Sequence, residues 1–135
     1  MKKFILSFLV VVMLTGCQSK PVTGETATVT GGSYQNVNPD VLNAMLKNKD
    51  FVFINVHIPF AGNIADTDLS IPYDQIEQNL SQLPLDEDAK IVLYGRSGRM
   101  SEIAVEVLVK LGYTNIWNLK GGMVAWEQAG YDIEK

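Results

Sequence analysis

The residues best equipped for chemistry fall in one stretch, Tyr94-Gly95-Arg96-Ser97-Gly98-Arg99-Met100-Ser101, between an apolar run and an amphipathic one. Successive backbone N–H groups in such a glycine-containing turn converge on a point. A helix beginning there adds roughly half a positive charge, so the loop can cradle an anion. Arg96 and Arg99 place two formal charges beside it in a chain with 11 Lys plus Arg against 15 Asp plus Glu. On residue types alone, an ordinary strand-to-helix turn with solvated arginines accounts for the stretch equally well. His57, the only histidine, could line the same mouth and titrate near neutral pH; a plain surface-loop histidine is the simpler reading. Cys17 is the only cysteine. With no Cys/His cluster, neither a metal site nor a cofactor is expected. Tyr94 and Trp126 read as packing residues.

The elements that would hold this loop follow from hydrophobic period. Asn38 and Pro39 suit the N-cap and first position of a helix carrying Val41, Leu42, Met45 and Leu46. Phe51 to Val56 reads as a buried strand of β-branched and aromatic residues. A short strand over Asp68 to Ile71 and a helix over Tyr73 to Leu83, with Ile76, Leu80 and Leu83 inward, come next. Lys90 to Tyr94 is a further buried strand ending at the turn Gly95 to Gly98. The helix after it should turn Ile103, Ala104, Val107, Leu108 and Leu111 inward and stop at Gly112. Asn115 to Leu119 is the next strand, and Gly121 with Gly122 lead into a last helix bearing Met123, Val124 and Trp126. Alternating strands and helices imply an α/β fold, a central parallel sheet with helices on both faces, whose ligands bind outside the carboxyl ends of the strands.

The N-terminus has a secretory layout: Lys2 and Lys3, an apolar run from Phe4 to Leu14, then Thr15, Gly16 and Cys17. Eleven helical residues rise roughly 16 Å, about half the ~30 Å hydrocarbon thickness, so the run is short for a membrane span. Leu-Thr-Gly-Cys at its end resembles the lipobox of bacterial lipoproteins. That resemblance implies a signal peptide over residues 1–16, lipidation of Cys17 and anchoring in a lipid bilayer outside the cytoplasm. With Gln18 rather than Asp after the cysteine, it further implies the periplasmic face of the outer membrane where the organism has one. Residues 17–33, rich in Thr, Gly and Ser, read as a flexible tether, and residues 34–135 as a single domain. Loss of Lys2 and Lys3 would change the formal net charge from −4 to −6, which makes nucleic acid a poor partner.

The loop from Gly95 resembles the active-site loop of the rhodanese family of sulfurtransferases, normally Cys-Arg-Ser-Gly-X-X-Ser. Leu111 to Asn115 (Leu-Gly-Tyr-Thr-Asn) and Leu119 to Trp126 (Leu-Lys-Gly-Gly-Met-Val-Ala-Trp) are similar to that family too, and the likeness covers about residues 36 to 133. It implies the three-layer rhodanese-like fold and an anion-binding loop made of Gly95, Arg96, Ser97, Gly98, Arg99 and Met100. The family's cysteine attacks a sulfane donor and becomes a persulfide. Here its position is Gly95, which has no side chain, so the resemblance implies no catalytic residue. Where many members carry Asp paired with the loop arginine, this chain has Asn55, whose amide could hydrogen-bond to Arg96. The implied function is a membrane-tethered, catalytically inactive module binding a small oxyanion (thiosulfate, sulfate or phosphate) or an envelope protein. The alternative is a sulfurtransferase whose cysteine was lost recently or misread at position 95.

Overall fold

The computed structural model describes residues 24–135; the signal segment and Cys17 lie outside them. Ten elements follow in order: β1 (Glu25–Val29), β2 (Gly32–Val37), α1 (Pro39–Leu46), β3 (Val52–Asn55), β4 (Leu69–Ser70), a 3₁₀ helix (Glu77–Gln82), β5 (Ile91–Tyr94), α2 (Arg99–Lys110), β6 (Ile116–Leu119) and α3 (Gly122–Gln128). They build one six-stranded sheet in the order β1-β2-β6-β5-β3-β4. Every pairing is parallel except the β1–β2 hairpin.

Side chains alternate across the strands and feed two cores, one on each face. Ile54, Ile91, Leu93 and Ile116 pack with Ala104, Val105 and Leu108 of α2 and with Ile76 and Leu83. On the other face Phe53, Val92, Tyr94 and Leu119 pack with Leu42 and Met45 of α1 and with Met123 and Trp126 of α3. Burial on both faces explains the unbroken apolar runs of β3 and β5. As the sequence leads one to expect, α1 is capped by Asn38, whose Oδ1 accepts from the Val41 N–H at 2.8 Å, and α2 stops at Gly112, with φ of 102°.

Three expectations are corrected. The folded domain begins at Glu25, not at residue 34: Glu25–Val29 pairs residue by residue with Gly32–Asn36, so the second half of the supposed tether is sheet. Alternating β-branched residues make it a strand, and Ala27 and Val29 pack against the α2-side core. The segment from Tyr73 to Leu83 is not an α-helix. Asn79 interrupts it at φ −118°, its side-chain amide donating to the Gln75 carbonyl at 2.7 Å, and Pro84 disfavours helical backbone at Leu83. Ile76 and Leu83 are buried all the same. Finally, α2 is rotated from its expected facing: Ser101, Ala104, Val105, Leu108 and Val109 are buried, whereas Ile103 and Leu111 are exposed. Small residues at 101 and 104 let the helix lie close to the sheet.

Candidate functional site

The loop Gly95 to Gly98 leaves the carboxyl end of β5, in the middle of the sheet, and enters α2 through Gly98 at φ 104°. It is held from outside by α3. The Met123 N–H donates to the Gly95 carbonyl and the Val124 N–H to the Arg96 carbonyl, both at 2.9 Å. This approach requires glycine at 122: its φ is 58°, and a Cβ there would collide with the carbonyls of Gly95 and Arg96. With its first carbonyls engaged by α3, the loop is left with its amides. Among the described residues, none of the N–H groups from Arg96 to Ser101 finds a protein acceptor. They lie at the positive end of the twelve-residue α2, the arrangement that attracts an anion.

Arg96, Ser97 and Arg99 are exposed, Met100 is half-buried, and Gly95 and Gly98 are buried. Neither arginine enters a salt bridge among the described residues. The buried Ser101 hydroxyl donates to the Gly98 carbonyl at 2.9 Å and closes the loop from below. Gly95 is not in the left-handed region. A Cβ at that position would stand 3.5 Å from the Met100 Cβ and 3.5 Å from the Ser101 nitrogen, ordinary contact distances.

A cleft of about 430 Å³ opens beside the loop, lined by Phe60, Gly62, Arg96, Met123, Glu127 and Lys135. Its far wall is the segment between β3 and β4, fixed from below by Tyr94. That fully buried phenol accepts from the Ile64 N–H at 3.0 Å and shares a 2.7 Å hydrogen bond with the Thr67 hydroxyl; burial raises its pKa.

Asn55 does not serve Arg96. Its amide donates to the Gly62 carbonyl and to Asn63 Oδ1, and its oxygen accepts from the His57 N–H, each at 2.9 Å. The residue is buried and all its bonds go to the β3–β4 segment, so it shapes the cleft wall and leaves the arginine to solvent. His57 stands close enough to Arg96 to feel its charge. Burial, and after it that charge, push its pKa below the ordinary imidazole value, so at neutral pH it contributes a neutral ring; its Nδ1 is buried without a protein partner.

His57 therefore lies within the field of Arg96 but does not line the cleft, and Asn55 stands behind the cleft wall. Phe60, Gly62 and Lys135 do not stand out in the sequence, because they reach the cleft from segments with no periodicity, and Glu127 reads only as a polar residue of α3. The second glycine of Gly121-Gly122 was the one legible sign that another backbone comes close.

This sheet order, with a glycine-containing loop at the end of its central strand β5, is accompanied by a family match. Residues 36–129 match the Rhodanese-like domain family, to which the chain belongs. Residues 1–18 match the prokaryotic membrane lipoprotein lipid attachment site, which makes this a membrane-tethered, lipid-anchored rhodanese-like protein of the cell envelope. The chain is 34% identical over 88 residues to a sulfurtransferase of Allochromatium vinosum, covering 63% of this chain and 79% of that protein. It is 33% identical over 93 residues to a putative mitochondrial thiosulfate sulfurtransferase of Schizosaccharomyces pombe, covering 58% of this chain and 65% of that one. Among solved structures, a rhodanese-related protein from Thermoplasma volcanium superposes with a TM-score of 0.62 at 29% identity, over 74% of this chain and 97% of that one.

Proposed function

We propose that this lipoprotein is a binding module which takes a small oxyanion, such as thiosulfate, sulfate or phosphate, in the loop Gly95 to Met100, and that it does not transfer sulfur. The reading rests on Gly95. The loop is similar to the rhodanese active-site loop, and the glycine stands where that loop carries its cysteine. A glycine cannot attack a sulfane sulfur, and Cys17, outside the domain, is the lipid attachment point.

Several features support the binding role. Among the described residues the loop amides from Arg96 to Ser101 have no protein acceptor and Arg96 and Arg99 form no salt bridge, and α2 points its positive end at the loop. With no side chain at position 95, an anion can sit deeper between Met100 and Ser101 than it could beneath a thiol.

The test is thiosulfate-to-cyanide sulfur transfer by the soluble domain from Gln18 onward and by its Gly95→Cys variant, together with calorimetric titration of sulfate, thiosulfate and phosphate. We expect no turnover from the parent, measurable turnover from the variant, and anion binding by the parent. Turnover by the parent, or no anion binding at millimolar concentration, refutes the reading.

The same geometry favours a second reading. The cysteine side chain fits position 95 without strain, so an enzyme from which the cysteine was lost recently, or misread, would look the same. Resequencing the gene from its source strain separates the two.

A further inference from the structure

We infer that the lipid anchor turns the cleft toward the bilayer, and that the rim formed by Ile58, Phe60 and Val124 rests in the headgroup region of the membrane. The argument starts from the direction of β1. Strands β2, β6, β5 and β3 are parallel and share a carboxyl edge, where the loop Gly95 to Gly98 lies. Strand β1 runs against β2, so its first residue, Glu25, is paired with Asn36 at that same edge. Lys120, which follows β6, confirms the placement with an ion pair to Glu25 at 3.7 Å. The chain thus enters the domain at the end that bears the site. Three strand spacings of about 4.8 Å, roughly 14 Å in all, separate β1 from β5.

The length of the connection then limits the orientation. Cys17 and Gly24 are seven residues apart, and even full extension spans no more than about 25 Å. A domain of this size has a radius of gyration near 13 Å, hence a diameter of roughly 34 Å. Resting the opposite end of the domain on the membrane would require the connection to climb nearly that diameter, which exceeds its reach. Resting the carboxyl edge on the membrane requires little extension.

That edge also has the composition of a membrane-contacting rim. Phe60 is 64% exposed, Val124 40% and Ile58 36%. Ile58 and Phe60 belong to the segment that walls the cleft, and Val124 donates its N–H to the loop carbonyl of Arg96. Arg96 and Lys135 line the cleft beside them with Glu127, and Glu25 and Glu134 lie at the same edge. An aromatic ring flanked by cations suits the interface, where apolar groups enter roughly 5–10 Å and basic groups meet phosphates. At the opposite end Leu85 is exposed beside Asp86, Glu87 and Asp88, and Lys47, Lys49, Lys90 and Lys110 lie at that end too, so the orientation is set by the short connection and the apolar rim and not by a difference in charge between the two ends.

The test uses the full lipidated chain in vesicles of phosphatidylethanolamine and phosphatidylglycerol. Lipidation occupies the only natural cysteine, so a fluorophore can be placed singly at Ser97→Cys or at Leu85→Cys and quenched by a lipid carrying a headgroup nitroxide. We expect several-fold stronger quenching at position 97 than at 85, and Phe60→Asp, at an exposed site, to reduce the difference substantially. Equal quenching, or stronger quenching at 85, overturns the orientation and would mean a mouth open to soluble partners. A difference untouched by Phe60→Asp overturns the contact of the rim with lipid. None of these readouts depends on anion binding.

Discussion

A single side chain separates two chemistries at this site. On the reading proposed above, the loop with glycine at 95 offers N–H donors, two arginines and the field of a helix; with cysteine it would add a thiolate held by the same donors. The backbone conformation does not demand glycine there, in contrast to Gly122, where left-handed φ and two nearby carbonyls do. His57 belongs to the same scale. Its folded-state pKa is depressed, so between that value and about 6.5 the unfolded chain binds more protons than the native one. The stabilisation from keeping the ring neutral is complete above pH 6.5 and is lost as pH falls through the depressed value. We expect the urea midpoint to fall over that interval and His57→Gln to flatten the fall. An unchanged slope in the variant would assign the titration to other groups.

Among elements, α3 acts as a clamp on the loop. Gly122→Ala places a side chain in left-handed backbone, at about 1–2 kcal/mol, and drives it into the carbonyls of Gly95 and Arg96. The first turn of α3 must lift, breaking two hydrogen bonds that leave the loop amides available. We expect a lower denaturation midpoint together with weaker sulfate binding, whereas a purely local strain would lower only the midpoint. How far the sequence revealed these elements depends on what holds each of them. Helix α1 and strands β3 and β5 were legible because capping and two-sided burial are written in consecutive residues. The site loop was legible through its glycines and arginines. The β1–β2 hairpin was missed because its threonines resemble linker composition, although Thr-Ala-Thr-Val-Thr before Gly-Gly is a strand and hairpin pattern. The facing of α2 was missed because it depends on how closely Ser101 and Ala104 approach a sheet assembled from distant segments. The pairing of Asn55 with the β3–β4 segment in place of Arg96 likewise depends on a loop path that no local rule specifies.

At the scale of the molecule, the sheet gathers the site, the point of entry of the chain and its last described residues at one end. Glu134 pairs with Asn63 across an isolated bridge, with Asn63 N–H to Glu134 O at 2.8 Å and the reverse bond at 2.7 Å. Lys135 then lines the cleft. Whatever is joined to the carboxyl group of Lys135 therefore emerges in the mouth itself. An affinity tag placed there would compete for the space, and a polyhistidine one would add its own titrating groups beside Arg96. We expect sulfate titrations to report weaker binding with such a tag in place than after its removal. A recombinant preparation intended to reveal a ligand could, through so ordinary a choice, hide it.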